Sequence, residues 1–403
     1  MGLENMEKEE LILRETVQMI QQEIKQNHAT LYLEGFASKI SREALKKVIA
    51  DDFSDVLDTE EKLEYVVREI VGLSFIEYLV EDERITDIGF DGDKLIVQGN
   101  NFEKTVLDGV TEDDVIKIIA KFQNSTAKEL TIKDPILNTS RDHLRLNAVD
   151  KSIAINGTTM AIRVSRPGLR ITEENFSMIA PLYVLDFIKA AVKTKSNIMI
   201  CGETGTGKTE LQKLMMSFIP FEERIALIES NKDLYAKENF PNKDIFYWVS
   251  NGNTTIEDLI AYAALRSYPK WIMVAEVLGR EVYQVLQGIL TGHKFTCTLH
   301  AVDCRAIPRR LLGMAKMGYT VDENMFLDDI YNYVDFGIHL KANGGVRYLS
   351  EIVEYHSDRT ATTIFKQILT KDGFKITTDN GELSPKFFER VMEEGMDYKG
   401  LVV

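Results

Sequence analysis

Residues 202–209 read Gly202-Glu203-Thr204-Gly205-Thr206-Gly207-Lys208-Thr209, and this octet constrains the chain more than any other feature. It is a complete G-x-x-x-x-G-K-[ST] loop. The apolar run Asn197-Ile198-Met199-Ile200-Cys201 leads into it, and the helix-forming run Glu210-Leu211-Gln212-Lys213-Leu214-Met215-Met216 leads out. A loop that wraps phosphates must bring backbone amides within hydrogen-bond reach. It therefore needs glycine wherever a Cβ would block the approach or φ must be positive. Gly202, Gly205 and Gly207 meet that need, with Glu203, Thr204 and Thr206 completing the backbone between them. Lys208 offers a point charge to β- and γ-phosphates and Thr209 a hydroxyl ligand for Mg²⁺. The helix opening at Gly207 offers its positive N-terminal dipole. The octet predicts a nucleoside triphosphate bound between a strand and a helix.

The rest of the chain is organised around that expectation. At 403 residues it is too long for one ordinary core. Short apolar runs at residues 197–201, 224–228, 271–275 and 295–299 alternate with helical stretches, which demands a mostly parallel sheet covered on both faces. Residues 182–403 are therefore read as an α/β domain. Upstream, residues 85–90, 94–97 and 102–106 read as a strand meander turning at Asp91-Gly92 and Gly99-Asn100. A helix over 112–122 and strands over 144–149 and 159–164 follow, the last entered through Asn156-Gly157. These make residues 66–166 a smaller α+β domain. Pro167-Gly168 and the aperiodic stretch to Pro181 read as a linker over 167–181.

Residues 1–65 read as a helical extension. Leu13, Val17, Ile20 and Ile24 form one apolar stripe on a helix over about residues 7–25, too short for a coiled coil and so expected to pack on its own domain. A second helix is expected after Ser41. A third is expected after Thr59, whose hydroxyl caps free amides while Glu60 and Glu61 suit the positive helix end.

Composition narrows the partners. Lys and Arg number 48 against 63 Asp and Glu, a net charge of −15, so no general basic excess favours nucleic acid or anionic lipid. No apolar run approaches the roughly 20 residues of a membrane span. The amino terminus has neither a basic flank nor an apolar core of the secretory kind, and a cytosolic protein is expected. Cys201, Cys297 and Cys304 lack C-x-x-C spacing and read as reduced thiols.

Three more features fall at the ends of predicted strands. Residues 224–228 end in Glu229, residues 271–275 end in Glu276, and residues 295–299 end in His300, with Thr291-Gly292-His293 just before. Ligands of such sheets sit at the carboxyl ends of the strands. Hydrolysis needs a carboxylate to orient or deprotonate water and an acidic anchor for the Mg²⁺ held by Thr209. Glu276 is read as the metal-side carboxylate and Glu229 as the water-positioning one, roles that the sequence leaves exchangeable. His300 reads equally as a hinge histidine or as a γ-phosphate sensor.

On these boxes the chain resembles the type II/type IV secretion ATPase superfamily over about residues 70–370. Gly202 to Thr209 is similar to its Walker A box, Arg224 to Leu234 to its acidic box, Trp271 to Glu281 to its Walker B box, and Thr291 to Ala301 to its histidine box. The resemblance implies a RecA-like P-loop ATPase domain that binds ATP and Mg²⁺, preceded by a PAS-like domain that closes over the nucleotide. It further implies a homohexamer, cytoplasmic and peripheral at the inner face of the cell membrane. Its partners would be membrane-embedded secretion or pilus machinery and a coupling ATPase. Residues 81–88 and Arg145-Leu146-Asn147-Ala148 are most similar to the conjugation and tight-adherence pilus branch. The four-cysteine insert usual in the type II branch is absent.

Arg145, Arg163 and Arg166 match the family's phosphate-contacting arginines, and a guanidinium fork suits spread phosphate charge. Arg266, Arg305 and Arg310 lie near family arginines of the subunit interface. Ser230, Ala275 and Leu278 depart from the usual Asp, Gly and Arg. The implied function is an ATP-driven motor of type IV secretion or conjugative transfer, with pilus assembly as the alternative. A nucleic-acid translocase is disfavoured by the acidic balance, and a non-hydrolysing switch by the presence of both glutamates.

Overall fold

The computed structural model describes residues 14–36, 38–99, 104–124, 129–377 and 381–401. The chain divides into two compact units, Met1–Arg166 and Pro167–Val403.

The first unit opens with helices Arg14–Asn27, Lys39–Asp52 and Glu60–Ile70. Ile20, Ile24, Leu45, Ile49, Val66, Val67 and Ile70 close on one another as a core, so the amino-terminal stripe packs within its own unit. The expected start of that stripe, including Leu13, lies outside the described residues. Thr59 caps the third helix by accepting from the amide of Lys62, as its sequence suggests. The preceding helix begins earlier than expected, at Lys39, because Ser38 presents its hydroxyl to the amide of Ser41.

Six strands follow in this unit: β1 (Ile85–Phe90), β2 (Leu95–Gly99), β3 (Thr105–Leu107), β4 (Ile136–Arg141), β5 (Leu144–Val149) and β6 (Thr159–Val164). They form an antiparallel sheet in the order β3-β2-β1-β6-β5-β4. Asn100, Phe102 and Glu103 of the expected meander lie outside the described residues. Alternation along the strands buries Ile88, Phe90, Leu146, Ala148, Met160 and Ile162 with the helix Glu112–Asn124. It leaves Asp87, Arg145, Asn147 and Arg163 on the other face.

The second unit holds β7 (Ile198–Gly202), β8 (Ile225–Glu229), β9 (Ile245–Val249), β10 (Trp271–Val277), β11 (Lys294–Leu299), β12 (Phe336–Asn343), β13 (Val346–Tyr355), β14 (Ala361–Thr370) and β15 (Gly373–Ile376). Their order is β15-β14-β13-β12-β7-β11-β10-β8-β9. Each neighbouring pair from β12 to β9 is parallel, and β13 to β15 extend the sheet as antiparallel hairpins. This is the expected α/β class with a mostly parallel sheet. One core layer joins the sheet to helices Leu182–Lys193 and Lys208–Ser217. The other joins it to helices Val282–Leu290, Ile307–Ala315 and Glu323–Tyr333.

The stretch read as a linker belongs to this second unit. Phe176 is fully buried with Leu169 and Ile171 packed nearby, and the carbonyl of Ile179 accepts from Leu349 N and Gln367 Nε2. Its lack of period reflects a single helical turn, Phe176–Met178, held by neighbours rather than by its own repeat. The three cysteines are buried and unpaired as disulfides.

Candidate functional site

The phosphate loop grows out of β7, whose five residues are all buried between the two core layers. Gly202 has φ +148°, and a Cβ there would lie 2.3 Å from the carbonyl oxygen of Leu340, so only glycine fits. Gly205 and Gly207 have φ +77° and +97° with nothing closer than 4.0 Å to an added Cβ; conformation, not crowding, selects glycine there. Thr206 donates its hydroxyl hydrogen to Glu203 O at 2.9 Å and closes the loop on itself. The helix then starts at Lys208.

Lys208 Nζ donates to Gly202 O at 3.0 Å and to Glu203 O at 2.9 Å. Desolvation holds its pKa below the ordinary amine value, partly offset by the charge of Glu276. An ammonium in a ring of carbonyls and amides, at the N-terminus of a ten-residue helix, is short of negative charge, and a phosphate fits that donor set. Arg347, on β13, donates its Nε hydrogen to Gly205 O at 2.6 Å. Sequence reasoning missed this contact, since it comes from a hairpin 142 residues away and no motif marks it.

The strand ends deliver the expected groups unequally. His300 leaves β11, next to β7 in the sheet, and its Nδ1 lies 3.1 Å from Gly202 O while its Nε2 lies 2.8 Å from Glu276 Oε1. A carbonyl only accepts, so Nδ1 carries a hydrogen in this arrangement. His300 thus joins the mouth of the phosphate loop to the carboxylate of β10, and both partners stay partly open to solvent.

Glu229 behaves differently from the expectation of a water-positioning carboxylate. It is 1% exposed at the end of β8, and its carboxyl accepts from the amides of Asp233 and Leu234 and from the hydroxyl of Tyr247. Burial pushes its pKa up to about 8; the charge of Asp233 adds to the rise, and the amide bonds only partly oppose it. This buried carboxyl, folded under its own loop, shapes the turn after β8. Of the two acids, only Glu276 is ion-paired with His300 beside the phosphate loop.

The three arginines of the first unit also divide. Arg166 donates to four backbone carbonyls, those of Val80, Asp82, Glu83 and Ile85, which ties down the chain between helix Phe75–Glu81 and β1. Arg145 and Arg163 face each other directly across β5 and β6 on the open side of the sheet. Arg163 leans on Asp87 at 3.4 Å. Together with Lys104, Asn138 and Asn147 they line a shallow concavity of about 520 Å³. Two guanidinium groups held opposite each other, one of them leaning on Asp87, offer a fork to an anion.

Among the candidates for the subunit interface, Arg305 donates to Ala361 O and Thr363 Oγ1. No metal-ligand cluster of His, Cys, Asp and Glu occurs among the described residues, and no described helix is long and apolar enough to cross a membrane.

A family model described as Type II/IV secretion system protein matches residues 135–329. An uncharacterised protein of Bacillus anthracis is 36% identical over 406 residues, covering 95% of this chain and 91% of that one. A putative conjugal transfer protein of Mycobacterium tuberculosis is 26% identical over 316 residues, covering 73% of this chain and 88% of its own length. Among solved structures, the ATPase DotB of Yersinia pseudotuberculosis superposes with a TM-score of 0.54 at 15% identity, over 70% of this chain and 78% of that one, a likeness of fold.

Proposed function

Because the chain belongs to the type II/type IV secretion ATPase superfamily, we propose that it hydrolyses Mg-ATP to drive a type IV secretion or conjugative transfer machine. The observation that carries this reading is the junction of Lys208, Gly202, His300 and Glu276, where an ammonium without a bonded carboxylate faces an acid–imidazole pair across the mouth of the loop.

Residues 202–209 hold the triphosphate through their amides, and Lys208 exchanges its two carbonyl partners for phosphate oxygens. Thr209 and Glu276 are the residues that would hold Mg²⁺. Bound Mg²⁺ would neutralise charge on the terminal phosphates. Glu276 orients the attacking water, and His300 keeps that carboxylate in register with Gly202. Glu229 keeps the turn after β8 closed. Arg145 and Arg163 offer two cations to an anionic ligand such as phosphate. The same family membership supports a homohexamer working from the cytoplasmic side of a membrane-embedded secretion complex, and the likeness to a putative conjugal transfer protein favours conjugation.

Phosphate release from ATP by the purified protein, with and without Mg²⁺, tests the reading. Lys208→Ala is expected to lower turnover by on the order of 10²-fold or more, the scale for losing one preorganised donor. Equal phosphate release by wild type and Lys208→Ala refutes it.

A further inference from the structure

Strand β10 carries one residue more than its neighbour on the way to Glu276. Against β11, Val274 pairs with Cys297 and Val277 with Leu299, so three steps on one strand match two on the other. Ile272 and Val274 point into the core layer of helix Val282–Leu290. Strict alternation would send Glu276 into that apolar layer after them. Val277 takes the place instead, fully buried. Glu276 is thereby released to the side of the phosphate-loop helix, where it meets His300.

A bulge between parallel strands is rare, and it interrupts the ladder of backbone hydrogen bonds. Two side chains repair this one. Thr298 donates from Oγ1 to Ala275 O at 2.5 Å. Gln212 donates from Nε2 to Val274 O and to Thr296 O, each at 3.1 Å, and so bridges β10 and β11 at the point where they fall out of step. Gln212 is fully buried in a layer of Leu211, Leu214 and Met215, and its Oε1 has no partner among the described residues. An orphaned buried oxygen is unfavourable, and a leucine or methionine would avoid it. An amide at this position therefore needs a reason other than packing. Gln212 lies one helical turn beyond Lys208 on the same face of helix Lys208–Ser217.

We propose that Gln212 is a positioning residue for hydrolysis: it ties the helix that carries Lys208 to the bulge that turns Glu276 toward the phosphate loop. The inference rests on the reading that Glu276 serves the hydrolytic step. Seating of the loop on phosphate and placement of the carboxylate are then mechanically one event.

The test is a double-variant cycle on the full chain, with steady-state phosphate release and equilibrium binding of a fluorescent ATP analogue as readouts. Gln212→Met keeps nearly the same volume and loses the donor. It is expected to bind the analogue within about 3-fold of wild type, while kcat falls by on the order of 10²-fold, the scale for a misplaced catalytic group. Adding it to Glu276→Gln is expected to slow turnover no further, since a carboxylate already disabled cannot be misplaced. Unchanged kcat in Gln212→Met beside a disabled Glu276→Gln overturns the inference alone, as do losses that multiply in the double variant or binding that falls in step with kcat. Wild-type turnover in Glu276→Gln overturns the functional reading beneath it. Should Gln212→Met not fold, Gln212→Glu decides: its carboxyl, protonated in that apolar layer, still offers one O–H. Turnover between wild type and Glu276→Gln with unchanged binding is then expected, and turnover equal to wild type overturns the proposal.

Discussion

Glu229→Gln should change how the stability of the second unit depends on pH, by an amount that follows from the burial of one carboxyl. In the folded chain this group titrates at about 8 against an ordinary value of 4.5. Between those two values the folded state holds a proton that the unfolded state has released. Stability therefore falls as pH rises through this window, and the loss is complete above about pH 8. At about 1.4 kcal/mol per pH unit, the full window is worth roughly 4–5 kcal/mol. Glutamine mimics the protonated acid in shape and does not titrate. The wild type and the variant should therefore have similar stability near pH 5, and the variant should be the more stable at pH 8.5. For a unit of this size the difference corresponds to a shift in Tm on the order of 10 °C.

Trp248 and Trp271, the two tryptophans of the chain, both lie in the second unit, so their fluorescence follows its unfolding. Other titrating groups are common to both proteins and cancel in the comparison. Among them is His339, which burial holds near a pKa of about 4. Melting curves that shift in parallel from pH 5 to pH 8.5 would refute the raised pKa of Glu229.

Arg166→Ala should destabilise the first unit by about 2–3 kcal/mol, because four carbonyls lose a charged donor, and urea unfolding followed by circular dichroism would register it. Arg145→Ala should leave the same unfolding curve unchanged or slightly improved, since it removes a like charge facing Arg163, while phosphate release falls; unchanged phosphate release would remove Arg145 from the phosphate contacts. His300→Ala should lower kcat with little change in nucleotide affinity, as the link between Gly202 and Glu276 is cut, and a stopped assay of phosphate release over a range of ATP concentrations separates the two effects.

The parts of this chain that could be read in advance are those where one residue type answers one local demand. The glycines of the loop, the four apolar runs before Gly202, Glu229, Glu276 and His300, and the Thr59 cap each state their conformation in a few adjacent residues. What escaped depends on partners distant in sequence. β9 and the β12–β15 hairpins have no motif to announce them, and Arg347 reaches Gly205 only after those hairpins are built. Residues 167–181 look aperiodic because Phe176 and Ile179 are held by neighbours such as Leu349 and Gln367. The surroundings of Glu229 were not legible either, because a strand-end acid looks the same in sequence whether it faces water or, as here, accepts from Tyr247 and two amides beneath its own turn. The bulge that turns Glu276 is equally invisible, since Ala275-Glu276-Val277 alternates as well in either register.

The central claim is that the loop at 202–209 and Glu276 of β10 close on the same triphosphate. A crystal structure of the protein with Mg²⁺ and a non-hydrolysable ATP analogue tests it most directly. The expected result is Lys208 Nζ withdrawn from the carbonyls of Gly202 and Glu203 and bonded to phosphate oxygens, with Glu276 within reach of Mg²⁺ or of a water beside the terminal phosphoryl group. Nucleotide bound with Lys208 still on those carbonyls, or with Glu276 turned away from the phosphates, would contradict it.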